Sequence, residues 1–186
     1  SDIADINNDG SPEIFSTDML PADNKRLKTT IAFDPYHLED LKYRSNFHYQ
    51  MIQNCLHLNN GTGNFQEIAL FSGIAAWGAL IFDFENDGIK DIFVSNGIYR
   101  DIMYMDFRDF LADAEKQSIN GKIDYPKLIA QIPSEPLANY AFQQTGNLKF
   151  TNKASNLGLS KPSFSNGSAY GDLDNDGDLD LIINNV

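Results

Sequence analysis

The sequence predicts an all-β fold with helical insertions. Three observations predict it. A ten-residue acidic pattern occurs three times, each copy is followed by a short apolar run, and two longer stretches carry helical signals. A hydrophobic content of 42% and an aromatic content of 12% are too high for a disordered chain, so the net charge of −12 sits on a folded protein.

The elements follow in chain order. DINNDGSPEI (Asp5–Ile14), DFENDGIKDI (Asp83–Ile92) and DLDNDGDLDL (Asp172–Leu181) superpose without gaps as D-x-[NED]-x-D-G-x-x-[DE]-[IL]. Each leads into a run of four rich in β-branched and aromatic residues: Ile14–Thr17, Ile92–Ser95 and Leu181–Asn184. Such runs suit buried strands and are too short for helices. NCLHLNNGTGNF (Asn54–Phe65) matches NYAFQQTGNLKF (Asn139–Phe150) at a constant offset of 85, which Ala69/Ala154, Gly73/Gly158 and Ile74/Leu159 keep. Extra residues near Lys161–Phe164 move the offset to 89, aligning Gly78 with Gly167 and Asp83 with Asp172. LHLN and the segment ending in Phe65, separated by Gly61 and Gly63, read as a hairpin.

Two insertions, about 18–50 and 99–136, break this pattern. In the first, Asp34 as N-cap and Pro35 as first helical residue open a helix over YHLEDLKYR. In the second, Ile102–Ala114 sets Met103, Phe107, Phe110, Leu111 and Ala114 on one helical face, with Asn120-Gly121 as a stop. A short helix from Tyr125-Pro126 to Ile132 ends at Pro133. Their aromatic and Met stripes are expected to pack against sheet edges; a ligand or partner surface is the bolder alternative.

The acidic repeats carry the chemistry. Like charges about 5 Å apart repel by roughly 3 kcal/mol at an effective dielectric near 20, so the five carboxylates of GDLDNDGDLD (Gly171–Asp180) require something positive among them. Alternating oxygen donors at positions 1, 3 and 5, a glycine at 6 and a carbonyl at 7 form the first half of a calcium loop. Position 12, the closing Glu of an EF-hand, is Ser16, Val94 or Ile183 here, so the acidic position 9 must close the loop. The expected donors are Asp5, Asn7, Asp9, the Ser11 carbonyl and Glu13 in the first loop. They are Asp83, Glu85, Asp87, the Ile89 carbonyl and Asp91 in the second, and Asp172, Asp174, Asp176, the Asp178 carbonyl and Asp180 in the third. Oxygen-only donors disfavour zinc and copper, and magnesium is cramped by so many protein ligands. Up to three calcium ions are expected. The first loop, with three carboxylates against four, is expected to bind most weakly. Glu85 is expected to bind in an altered geometry or through a water, and the Asp178 side chain to face solvent.

Other classes are poorly supported. The acidic balance argues against nucleic acid, which needs basic patches. No apolar stretch of about 18 residues is present to span a membrane. His37, His48 and His57 fit no ligand spacing, and no nucleophile elbow, P-loop or H-E-x-x-H occurs. Cys55, as a single cysteine, leaves the compartment open. The start at SDIADINNDG, inside a repeat, reads as a piece of a longer protein.

The loops resemble the cation loops of FG-GAP repeats in the integrin α-subunit propeller, and the extended unit resembles VCBS-type repeats of secreted bacterial proteins. Trp77-Gly78, SFSNGSAYGDLDNDGDLDLIINN, N-x-L-x-L-N-N-G-x-G-x-F and TDMLPADNKRLK (Thr17–Lys28) are similar to a branch of bacterial surface proteins related to cartilage acidic protein. The resemblance implies a β-propeller of about seven blades, of which residues 1–186 form a single fragment of about three. It implies a secreted or cell-surface, calcium-binding and non-enzymatic scaffold for adhesion, with a polysaccharide or a surface protein as partner. A propeller-type polysaccharide lyase is the alternative, with Tyr99, Tyr104, Trp77 or Phe164 as sugar platforms.

Overall fold

Ten short strands, most of them carrying β-branched or aromatic residues, are described in a computed structural model over residues 1–30, 35–48, 52–68, 78–117 and 124–186. The protein is all-β with helical insertions. The repeat pairs at Ala69, Gly73 and Ile74, the Trp77 platform, the Asp34 cap and the Asn120-Gly121 stop lie outside the described residues.

The chain divides into two compact units. The first, Ser1–Leu20, Gln53–Tyr99 and Glu135–Val186, holds every strand found among the described residues. Strands β1 (Asp2–Ala4), β2 (Glu13–Ser16), β3 (Cys55–Asn59) and β4 (Phe65–Glu67) form one antiparallel sheet in that order. β5 (Gly78–Phe82), β6 (Asp91–Ser95), β7 (Tyr140–Gln144) and β8 (Phe150–Asn152) form a second of the same order, and β9 (Ser165–Gly171) pairs with β10 (Asp180–Asn185). β3–β4 and β7–β8 begin and end at the 85-residue offset read from the sequence. The hairpin turn is a little longer than expected, for Phe65 begins β4 and does not end it.

The sheets stack, β5 packing against both β1 and β9. Ile6, Phe15, Leu56, Ala79, Ile81, Ile92 and Val94 fill the layer between the first two sheets. Phe82, Phe93 and Ala141 fill the next, with Leu181 and Ile183 packed against them and Tyr170 stacked on Phe82 at 4.6 Å. Ile92 and Val94 point one way and Phe93 the other, so β6 is buried on both faces, which explains its unbroken apolar run. β10 departs from the buried strand expected: its residues alternate between half-buried and exposed, and Ile182 is 50% exposed. β10 is covered on one face only.

Each insertion leaves and re-enters its sheet at a matched bond. The side chain of buried Asn54 accepts the Asp18 N–H at 2.7 Å, and Asn139 accepts the Asn96 N–H at 2.8 Å. At Gly97, φ is +142°, and a Cβ would stand 2.6 Å from the Phe164 Cα, so only glycine fits this exit.

The second unit, Pro21–Ile52 with Arg100–Ser134, joins the two insertions. Its helices are α1 (Asn24–Thr30), α2 (Tyr36–Arg44), α3 (Met105–Gln117) and α4 (Tyr125–Ala130). α1 was not foreseen; Asp23 caps it, accepting the Arg26 N–H at 2.9 Å. Pro35 is the N-cap of α2 rather than its first residue, and its carbonyl accepts from Leu38. α3 starts three residues later than expected because Asp101 holds Met103 and Tyr104 in a turn; of the proposed stripe, Phe107 is buried and Phe110 is 39% exposed. α4 ends at Ala130, short of Ile132, with Asp124 as its cap. Buried Arg26 pairs with buried Asp101 at 2.9 Å, tying α1 to the start of the second insertion.

Candidate metal centre

The three acidic repeats each form the loop between two paired strands: β1–β2, β5–β6 and β9–β10. The backbone geometry is the same in all three. Position 4 is left-handed, with φ +59° at Asn8, +59° at Asn86 and +63° at Asn175. Position 6 is again left-handed, at Gly10, Gly88 and Gly177. Two such kinks wind the loop around its first residue. The Asp5 carboxylate accepts from Asp9 and Gly10, Asp83 from Asp87 and Gly88, and Asp172 from Asn175, Asp176 and Gly177. Position 5 then takes the N–H of position 7, at 2.8 Å in Ser11 to Asp9 and Ile89 to Asp87, and 2.9 Å in Asp178 to Asp176.

The carboxylates converge most closely in the third loop. Asp172, Asp174 and Asp176 each offer an oxygen within 4.8 Å of the others, the one such acidic trio among the described residues. The first loop has an amide at position 3, and Asn7 donates to Asp9 at 2.9 Å. In the second, Glu85 at position 3 is taken by the Gln143 side chain. The spacing in the third loop could hold a divalent cation coordinated by oxygen.

Position 9 does something the sequence reading missed. One oxygen of each accepts the N–H of position 2: Ile6 to Glu13 at 2.9 Å, Phe84 to Asp91 at 3.3 Å, Leu173 to Asp180 at 3.0 Å. In the first two loops the other oxygen accepts from the third strand, Asn59 N–H to Glu13 and Gln144 N–H to Asp91. These carboxylates therefore staple loop to sheet. Glu13 and Asp91 are almost fully buried; burial lifts the Glu13 carboxyl above its ordinary value and Asp91 to about 6, against the pull of the N–H donors.

Asn59 and Gln144, equivalent in β3 and β7, send their side-chain amides to the carbonyls of Pro12 and Lys90. The extra methylene of Gln144 lets it reach the Ile6 carbonyl of the first loop too, at 3.0 Å. Residues at position 4 also bridge loops. Asn8 donates to the Gly88 carbonyl at 2.9 Å, and Asn86 to the Gly177 carbonyl at 3.2 Å and to the Asp178 carboxylate. The Asp178 side chain, expected to face only solvent, thus has a partner. The signal was present: asparagine stands at position 4 in all three copies.

No protein-family model matches the chain, and no curated protein matches it. Among the described residues no helix is long and apolar enough to cross a membrane.

Proposed function

We propose that this protein is a calcium-binding, non-enzymatic repeat scaffold of the β-propeller kind, secreted or displayed at a cell surface. In this reading it serves adhesion, with a polysaccharide or a surface protein as partner. The observation that carries the metal reading is the convergence of Asp172, Asp174 and Asp176 within 4.8 Å. The matching backbone of the other two loops extends it to three sites. Calcium there supplies the positive charge that like-charged oxygens this close require. Asp172, Asp174 and Asp176 hold it, the position 7 carbonyl completes the turn, and the N–H bonds to position 1 help wind the loop around it. The blade reading is supported by the stacking of β1, β5 and β9, each the first strand of an antiparallel sheet, in sequence order.

Calcium titrated into the chelator-stripped protein and followed by calorimetry is expected to bind at a stoichiometry near three. The third loop, tested by Asp174→Ala, is expected to be the tightest. Absence of heat at millimolar calcium overturns the reading. A glycan array and a surface-protein pull-down then separate the two partner classes, and product release from acidic glycans would favour a lyase instead.

A further inference from the structure

The loops are not independent in their hydrogen bonding. The Gly88 carbonyl that accepts from Asn8 belongs to the Gly88–Ile89 peptide, whose N–H donates to the Asp87 carboxylate at 2.8 Å. A single peptide plane therefore lies between a residue of the first loop and a candidate ligand of the second. The same relay recurs one step on. Asn86 holds the Gly177 carbonyl, and the N–H of that peptide, on Asp178, donates to Asp176 at 2.9 Å.

Each bridging asparagine sits between two candidate ligands of its own loop: Asn8 between Asn7 and Asp9, Asn86 between Glu85 and Asp87. Its left-handed backbone is set by the winding of that loop. A cation that fixes the loop fixes the asparagine, and with it the peptide that aims position 5 of the next loop. Ordering one loop thus removes part of the conformational entropy that the next must lose on binding, which makes the coupling positive.

Resting on the calcium reading above, we infer that the three loops take up cations cooperatively, coupled in series through Asn8 and Asn86. A coupling near the low end of the usual range, about 5-fold in affinity per link, suits one exposed hydrogen bond.

The test is the Hill slope of calcium binding, by calorimetry and by terbium luminescence, in the wild-type protein and in Asn8→Gly, Asn86→Gly and the double variant. Glycine keeps the left-handed backbone and deletes only the amide, so these variants are expected to fold, as circular dichroism would check. Wild type is expected to give a slope above 1, lower in each single variant and at or below 1 in the double variant, with three ions bound throughout. Three ions bound with a wild-type slope at or below 1, or a slope unchanged by the substitutions, overturns the coupling while leaving the calcium reading intact. No ion bound by the wild type overturns both.

Discussion

A buried carboxylate is where the charge of this protein becomes measurable. Asp91 accepts two backbone N–H groups, from Phe84 and Gln144, yet burial lifts its pKa from 3.8 to about 6. In the cation-free protein the folded state therefore keeps a proton that the unfolded chain releases near pH 4. The stability tied to that proton is fully present below about pH 4 and is lost as the pH rises through 6. A shift of this size corresponds to a change on the order of 3 kcal/mol. Asp91→Asn cannot ionise. It loses one acceptor, toward Phe84 or Gln144, which is a constant penalty at every pH. Urea melts of both proteins in chelator are expected to show the variant gaining on the wild type between pH 4 and pH 7. A difference that stays flat would mean that Asp91 ionises in the fold as easily as in the open chain.

Among the elements, the acidic loops were legible because their candidate donors lie close together in sequence: positions one, three, five, seven and nine, with a glycine at six, are read off ten residues. The strands after them were legible from composition, and the β3–β4 and β7–β8 hairpins from their shared offset. What holds loop to sheet was not, since Gln144 meets Ile6 across 138 residues and no local pattern announces it. The helices show the same division. Helix α4 was found from Tyr125-Pro126, whereas α1, seven residues long, lacks an apolar period and depends on its Asp23 cap and on the Arg26–Asp101 pair. That pair also makes a prediction. Asp101→Ala leaves a buried guanidinium without its carboxylate, and should destabilise the helical unit by about 3–5 kcal/mol. The double replacement Arg26→Met with Asp101→Leu removes both charges and should recover most of that loss. Both effects are read from denaturant unfolding followed by helical circular dichroism. A single variant as stable as the wild type would show that the pair contributes little.

At the scale of the whole molecule, the sequence showed two separate insertions, and the structure joins them into one unit. The reason it could not be read is physical: Arg26 and Asp101 belong to different insertions, 75 residues apart, and only folding brings them together. The strand-bearing unit gathers all three acidic loops, in a chain whose net charge is −12. Two mechanisms could then link calcium to stability. General screening of the negative charge would act with any salt, over a Debye length of about 10 Å at 0.1 M. Binding in the loops would act at far lower concentration and only with a cation of the right size. A ligand that binds only the native state at a hundredfold excess over its Kd adds about 2.7 kcal/mol per site. For a chain of this length that is about 5–10 °C in melting temperature for each filled loop. Chelator is therefore expected to lower the melting temperature clearly, and calcium to restore it. Potassium chloride at the same ionic strength should restore almost nothing, and magnesium only a fraction, because its near-octahedral shell at about 2.0–2.1 Å is ill served by a loop of many carboxylates. Recovery by potassium as complete as by calcium would reduce the acidic loops to a screened surface. A melt indifferent to chelator would leave the fold held by its apolar layers alone, with Glu13 and Asp91 as staples and no ion beside them.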